Sequence, residues 1–257
     1  MDPATLAGIV ITLGAIFVAM ILEGSSVMSI FLPAPMILVL VGTIGAAVAG
    51  SRMVDMKGVV ASIPRALKGK VVEPQATIDT VVSLAERARR EGLLALEDAI
   101  KEVDDPFLRD GLQSAIDGTD PEDLHEMLLD RIDTKRAQDK IAIKFFADMG
   151  GYAPTIGIVG TVVSLVHVLE NLSNPSELGH LIAAAFVATL WGLMSANVLW
   201  LPISNRLKRL SETECKQMEL AVEGLMAVQA GANPRTVAQK LSSLVPATAG
   251  KSDSEAA

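Results

Sequence analysis

The sequence has 257 residues; half of them are hydrophobic and only 4% are aromatic. The mean hydropathy of +0.42 is therefore carried by aliphatic side chains and methionine, which is typical of helices in lipid rather than of an all-β protein. The net charge of -8 argues against a nucleic-acid partner. The single cysteine, Cys215, excludes an internal disulfide. No enzyme motif, metal-ligand spacing or phosphate-binding loop is present, so we expect neither catalysis nor a bound cofactor or metal.

Four uncharged runs predict transmembrane helices, because each is close to the ~20 residues that cross a ~30 Å hydrocarbon layer. They are residues 4–22, 29–50, 149–169 and 181–203. A signal peptide is an alternative for the first run. Asp2 and the absence of a preceding Lys or Arg favour a membrane span instead.

The basic residues predict the orientation of these spans. Fifteen of the 22 Lys and Arg lie between Arg52 and Lys144, and the other seven lie between Arg206 and Lys251. The turns 23–28 and 170–180 contain none. The positive-inside rule therefore places residues 51–145 and 204–257, and with them both termini, in the cytoplasm of a cell with an inner membrane.

The cytoplasmic segments have helical periodicity. Residues 77–103 carry apolar side chains at three- and four-residue steps, which predicts one helix that ends at Pro106. Thr119 and Glu122 match a capping box, and from Pro121 the helical pattern continues into the third span. The small, polar tail 247–257 is predicted to be disordered.

The sequence thus predicts an all-α integral membrane protein with four transmembrane helices and a cytoplasmic helical bundle. The predicted domains are 1–50 (spans one and two), 51–145 (cytoplasmic helical domain), 146–203 (spans three and four) and 204–257 (cytoplasmic helix and tail).

The third span contains residues that weaken a helix. Pro154 removes a backbone donor and leaves a carbonyl that needs another partner in lipid. Helical spacing places Pro154, Ile158, Thr161 and Leu165 on one face, while small residues allow close approach of another helix. In the third span these are Gly157, Gly160 and Ser164; in the fourth span, Ala184, Ala188, Gly192 and Ala196 recur at four-residue steps.

The fourth span also carries Thr189 and Pro202, so the two spans together predict a narrow, partly polar seam. A harmless packing kink at Pro154, and threonines that only bond their own i−4 carbonyls, are the simpler alternatives. No Asp or Glu lies in any of the four spans. Since ion-coupled membrane proteins usually keep such a carboxylate, it would have to come from another chain.

Several motifs, in this order and topology, resemble the MotA/PomA family of flagellar motor stator proteins within the MotA/TolQ/ExbB superfamily. Arg89 and Glu97 of "RREGLLALE" are similar to a charged pair in the family's cytoplasmic loop. Pro154 begins a segment that ends in "GIVGT". The remaining matches are "ANVLWLPISNRL" with Pro202 and "NPR" near the end of the chain.

The resemblance implies a ring of copies of this chain, thought to be five, around a MotB-type partner that is anchored to peptidoglycan and supplies the membrane aspartate. Pro154, Thr161, Thr189 and Pro202 would then line the ion path and act as its hinge, so that residues 146–203 line that path. Residues 51–145 would contact the rotor, with Arg89 and Glu97 meeting a FliG-type protein. Inward ion flow would drive rotation.

Three alternatives stay open within this interpretation. An ExbB/TolQ-type proton-driven energiser shares the ring plan, but it has three spans. Arg89 and Glu97 could be part of a solvated helix face. The ion is H+ rather than Na+ in our prediction, because sodium-type members carry a Thr–Thr pair in the fourth span and Ala188 replaces the first of them; a sodium-driven PomA-type stator is the alternative.

Overall fold

A computed structural model describes residues 3–69, 73–173 and 175–245. All regular secondary structure in these residues is helical, which confirms the all-α prediction. The predicted disordered tail lies outside the described residues. The contacts divide the chain into two units: Met1–Gly69 with Asp139–Arg209, called the first unit below, and Lys70–Gln138 with Leu210–Ala257, called the second unit.

The apolar segments predicted as spans form long helices. In chain order the helices that contribute to the first unit are α1 (Pro3–Leu22), α2 (Pro33–Ala49), α3 (Met56–Lys68), α7 (Pro121–Glu170), α8 (Pro175–Ser195) and α9 (Leu201–Gln229). A 3-10 turn, Val27–Ile30, precedes α2, and a π turn, Ala196–Trp200, joins α8 to α9. The continuation of α7 from Pro121 through the third span confirms the long helix expected there.

Three apolar windows are long enough to cross a membrane by length and composition, within Thr5–Leu22, Pro121–Glu170 and Glu177–Gln229. The second predicted span, 29–50, is shorter than expected, since α2 begins only at Pro33 and has 17 residues. Pro33 occupies the first helical turn, where a missing N–H has no consequence, and residues 27–30 form the 3-10 turn instead. The total of four membrane spans therefore stays a prediction.

The second unit is a bundle around an aliphatic core. Besides the first part of α7 and most of α9, it contains α4 (Pro74–Glu91), α5 (Leu96–Ala99), α6 (Pro106–Ile116) and α10 (Pro234–Leu244), with 3-10 turns at Leu93–Ala95 and Ile100–Glu102. Its fully buried side chains include Leu96, Leu112, Leu124, Leu128, Leu225 and Leu241. The "NPR" segment forms the start of α10, where the Asn233 side chain caps the helix by accepting from the Arg235 N–H.

The prediction of one helix over 77–103 is wrong. α4 ends at Glu91, because Gly92 has a φ of 86°, a left-handed conformation that ends a helix and that glycine adopts without strain. Two 3-10 turns and the four-residue α5 follow. The periodicity was misleading because the apolar residues on both sides of the break, such as Val81 and Leu96, are buried in one core.

The predicted capping box at the start of α7 is also wrong. The side-chain Oδ1 of Asp120, not the hydroxyl of Thr119, accepts a hydrogen bond from the Glu122 N–H at 2.9 Å. Because Pro121 takes the first helical position, the residue directly before it becomes the N-cap. The Thr119 carbonyl instead accepts from the Gln229 side chain at 2.8 Å.

Candidate functional site

The helices α7 and α8 cross at two glycines in the first unit. A Cβ added to Gly192 would lie 2.6 Å from the Ala153 carbonyl oxygen and 3.3 Å from the Pro154 Cα. A Cβ added to Gly157 would lie 3.0 Å from the Ala188 carbonyl oxygen. The two backbones thus meet directly, and Pro154 lies at the crossing point.

Two threonine hydroxyls lie one turn further along this crossing. The Oγ1 atoms of Thr161 and Thr189 are 2.5 Å apart, within hydrogen-bond distance. Thr161 Oγ1 is also 3.2 Å from the Gly157 carbonyl oxygen and 3.0 Å from the Ala185 carbonyl oxygen, and Thr189 Oγ1 is 3.5 Å from the Gly157 carbonyl oxygen. The hydroxyls therefore bridge the two helices and do more than bond their own preceding turns.

The four residues predicted to share one face of the third span have different environments in the structure. Pro154 and Thr161 are half-buried at the crossing, whereas Ile158 and Leu165 are 57% and 43% exposed and point away from the neighbouring helices of the chain. A helix has 3.6 residues per turn, so residues four apart drift to the edge of a face. The polar seam is consequently narrower than the sequence pattern predicts.

The two prolines act differently on their helices. α7 stays helical through Pro154. Pro202 follows the π turn, in which the Leu201 N–H donates to the Ala196 carbonyl five residues earlier. A proline ring clashes with the carbonyl four residues before it, here that of Val198, and a widened turn relieves this clash. The π turn includes Asn197, and sequence analysis missed it, although the "ANVLWLP" motif marked its place.

Arg89 and Glu97 lie on either side of the Gly92 turn in the second unit. Both are exposed, and neither makes a hydrogen bond or ion pair with the described residues. Arg89 is in the last turn of α4, where the helix dipole favours a positive charge, and Glu97 is in the first turn of α5, where it favours a negative one. The structure thus brings the predicted pair to one solvent-facing segment.

The same segment contains features that sequence analysis did not select. Leu94 is 73% exposed between the two charges. A hydrogen bond of 2.9 Å from Lys101 lowers the pKa of Asp98 and raises the pKa of Lys101. The run "LLALE" could have indicated an exposed leucine, because consecutive apolar residues in a short helical segment cannot all face one core.

The fold and the crossing define a class: a helical membrane protein in which two long helices meet through glycines beside paired hydroxyls, with charged side chains exposed on a separate bundle. Two family models match the chain: the MotA/TolQ/ExbB proton channel family over residues 99–220, and the motility protein A N-terminal family over residues 6–92. The chain belongs to the motility protein A family, and it is membrane-embedded.

Relatives with curated names extend over nearly the whole chain. Motility protein A of Bacillus subtilis is 38% identical over 96% of this chain and 92% of the relative. Motility protein A of Borreliella burgdorferi is 30% identical over 94% of this chain and 93% of the relative. The family resemblance inferred from the motifs is confirmed.

Two solved structures are similar over almost their full length. One is the flagellar MotAB stator complex from Bacillus subtilis, with a TM-score of 0.89, 37% identity, and coverage of 96% of this chain and 97% of the other. The other is C. jejuni MotAB, with a TM-score of 0.92, 28% identity, and the same coverage of both chains.

Proposed function

We propose that this chain is a flagellar motor stator subunit that couples inward ion flow to rotation of the rotor. The carrying observation is the α7–α8 crossing: a close contact at Gly157 and Gly192 with two hydroxyls beside it and no carboxylate in the predicted spans. Membership in the motility protein A family supports a role of this crossing in a flagellar stator. It also favours a stator over an ExbB/TolQ-type energiser.

The partner in this proposal is a MotB-type protein that supplies the titrating aspartate. The similar structures are MotAB complexes, and the spans of this chain lack the carboxylate that ion coupling needs. Copies of this chain, five in our proposal, surround the partner helix. Exposed apolar residues of α7, such as Val162 (56%) and Leu169 (66%), are available to lipid, neighbouring copies or that helix.

The proposed ion is the proton rather than sodium. Sodium prefers several oxygen ligands, and a hydroxyl at position 188 would add one. Ala188 is 1% exposed, and a Cβ on Gly160 would lie only 2.8 Å from the Ala188 Cβ, so this position has little space for a larger side chain. The hydroxyls of Thr161 and Thr189 are engaged with each other and with backbone carbonyls, which suits a path for water and protons.

The orientation proposed for the chain follows from its basic residues. Residues 51–145 and 204–257 lie in the cytoplasm, and residues 1–50 and 146–203 cross the inner membrane, with both termini inside. This division places Arg89, Leu94 and Glu97 where a FliG-type rotor protein could reach them. An exposed leucine between two charges is suited to a protein contact, since burial of its apolar surface is favourable and the charges set specificity.

The flux experiment uses proteoliposomes that contain either a pH-sensitive or a sodium-sensitive dye. The chain alone should leave the vesicles tight to protons and to sodium. Co-purified with a MotB-type partner, it should conduct, and replacing the partner's membrane aspartate by asparagine should stop conduction. Strong flux from the chain alone would instead make it a self-contained transporter. Swimming speed against sodium concentration, with a protonophore control, distinguishes the two ions.

The rotor contact is tested by charge reversal. The double variant Arg89→Glu, Glu97→Arg should insert and assemble normally, because both side chains are exposed, but it should reduce motility. Opposite reversals on the rotor protein should restore part of the speed. The matched control reverses the exposed pair Arg136 and Glu219, which bond each other at 2.8 Å in the same unit. Normal swimming by the Arg89, Glu97 variant would place these charges on a solvated face.

A further inference from the structure

A row of polar side chains follows α7 toward the crossing. Glu170, His167, Ser164 and Thr161 recur at three-residue steps, and every residue between them is Val or Leu. Side chains three residues apart on a helix are neighbours, so the row is continuous over about 13 Å of the helix axis. It begins at the end of α7 that the proposed orientation places outside the cytoplasm. It ends at Thr161, which with Thr189 forms the hydroxyl pair. Polar side chains at membrane depth commonly mark ion pathways.

The middle of this row lines a cavity of about 460 Å³ between α2, α7 and α8, called the notch below. Ser164 and His167 line it from α7, and His180 lines it from α8. At its inner end the notch reaches Gly160 and Ala188, each of which directly precedes one residue of the hydroxyl pair in the chain. Its other described lining residues are apolar. The notch therefore leads past two imidazoles and one hydroxyl to the crossing.

The notch exists because α2 begins deep in the first unit. The Trp191 Nε1–H donates to the Ile30 carbonyl at 2.7 Å, which holds the turn before α2 against the inner part of α8. α8 itself begins at Pro175, and about 24 Å of helix axis separate Pro175 from Trp191. The outer ends of α7 and α8 thus extend past the start of α2, and water on that side can reach the notch.

The bonding of the row differs between its outer and inner parts. His167 Nδ1 lies 3.5 Å from Glu170 Oε2 and 3.4 Å from Asn171 Nδ2, and the His167 side chain is 58% exposed. Ser164 is half-buried, and its hydroxyl makes no hydrogen bond with the described residues. A serine in a membrane helix often bonds to a carbonyl of the preceding turn. A hydroxyl without that bond, at the wall of a cavity, can bond to water instead.

The ionisable groups around the notch are two imidazoles and two carboxylates. Glu170 follows His167 on α7 by three residues, and Glu177 precedes His180 on α8 by three residues. α2 contributes no ionisable side chain along Pro33–Ala49. Carboxylates at the mouth of a cleft raise the local concentration of cations, protons included. Imidazole is the side chain that takes up and releases protons near neutral pH. The arrangement therefore suits the uptake of protons from the outer side.

We propose that His167 is a proton-relay residue at the entrance of the ion path, with His180 as a second imidazole at the same notch. A proton from solution passes through Glu170 to Nδ1 of His167, and Nε2 releases its own proton to water in the notch. The imidazole then returns to its first tautomer by exchange with water. Water beside Ser164 carries the proton on to the hydroxyl pair. This inference rests on the proposed stator function with the proton as the ion, and it concerns only the entrance.

The test measures proton flux into proteoliposomes that contain this chain with its MotB-type partner, at about pH 6 and about pH 8 outside. The double variant His167→Ala, His180→Gln leaves no imidazole at the notch. It should lower the flux severalfold at the higher pH, where free protons are scarce, and leave it nearly unchanged at the lower pH. His125→Gln in the second unit removes the third histidine of the chain and is the matched control. It should conduct normally at both values.

Chemical rescue distinguishes a proton relay from a structural role. The notch has space for a free imidazole molecule once the His167 ring is removed. Added imidazole should restore the flux of the double variant at the higher pH. Pyrazole has the same size but stays unprotonated in this range, so it should restore nothing. Vesicles in which the partner's membrane aspartate is replaced by asparagine correct for imidazole that crosses the lipid by itself.

A third variant fills the notch without altering its ionisable groups. Ala184 lines the notch and is half-buried, so Ala184→Leu should exclude water and lower the proton flux at both pH values. Ala183 is exposed and does not line the notch, and Ala183→Leu is the matched control. Co-purification with the partner verifies that each variant assembles.

Three results would overturn the proposal. They are a normal flux of the double variant at both pH values, an equal loss at both values that imidazole does not rescue, and equal effects of leucine at positions 183 and 184. In each case, conduction that still requires the partner's aspartate would leave the stator function intact. Conduction that no longer requires it would contradict the stator function itself.

Discussion

The crossing of α7 with α8 and the core of the second unit are packed by opposite means. At the crossing, the closest contacts are between backbones: a Cβ on Gly192 would lie 2.6 Å from the Ala153 carbonyl oxygen. In the core, large side chains fill the space, and Leu96, Leu112, Leu124 and Leu241 are fully buried. Lipid tails are as apolar as leucine, so membrane helices associate through close van der Waals contact, whereas in water the burial of apolar area is the main stabilising term.

This difference predicts opposite sensitivities to substitution. The crossing should tolerate loss of side-chain atoms and fail when atoms are added. The core of the second unit should behave in the reverse way, because a removed side chain leaves a cavity. The following substitutions test these expectations in order of decreasing effect.

The largest effect is expected for Gly192→Leu. The new side chain must occupy the space of the Ala153 carbonyl, which belongs to helix backbone and cannot move away without separating α7 from α8. The variant should lose motility and elute as misassembled protein in size-exclusion chromatography. Gly45→Leu on α2 is the control, since a Cβ there meets nothing within 4 Å. Normal assembly of the Gly192 variant would mean that the two helices are held apart in the working protein.

Leu112→Ala should destabilise the second unit. Leu112 is 0% exposed, and truncation of a buried leucine costs about 2–5 kcal/mol. The free energy of local opening, measured by hydrogen exchange of α6 amides in the full-length protein, should fall by that amount. Leu94→Ala, at a position 73% exposed, should leave the same exchange rates unchanged. Equal effects of the two variants would contradict the leucine-filled core.

Pro154→Ala restores a backbone donor at the crossing. In water-soluble helices a proline is about 3 kcal/mol less favourable than alanine, so the isolated helix should become more stable. If Pro154 is a hinge, the variant should insert, assemble and yet swim poorly. Pro202→Ala should allow the π turn to close into regular α-helix, with a milder loss of speed. Normal swimming by Pro154→Ala at normal protein level would mean that this proline is a packing kink and not a hinge.

Sequence patterns predicted the long-range order of the chain well. The uncharged runs predicted both ends of α1 and the end of α7 within a residue or two, because a membrane span needs a long apolar segment and few sequences have one by chance. The small residues Gly157 and Gly192 were recognisable because close helix packing restricts side-chain size.

Local geometry was less predictable. Gly92 could have been tolerated inside a helix, and only the shared burial of residues on both sides of it explains the turn. The pairing of Thr161 with Thr189 depends on the rotation of two helices, which residue spacing does not determine. The helix α3 was missed since its buried face, Val59, Ser62 and Ala66, includes only one apolar side chain larger than alanine.

The smallest structural effect is expected for Thr161→Val, because this substitution keeps the volume of the crossing nearly constant. Only the hydroxyl is lost, and a typical hydrogen bond contributes about 1 kcal/mol net. Thr189 Oγ1 retains a possible acceptor in the Gly157 carbonyl at 3.5 Å, so assembly should be intact. Swimming speed under load should fall if the hydroxyl pair orders water along the path. Thr161→Ser, which keeps the hydroxyl and removes a methyl group, should restore the speed. If valine and serine behave alike, the pair serves only to join α7 to α8, and the ion path must follow another face of these helices.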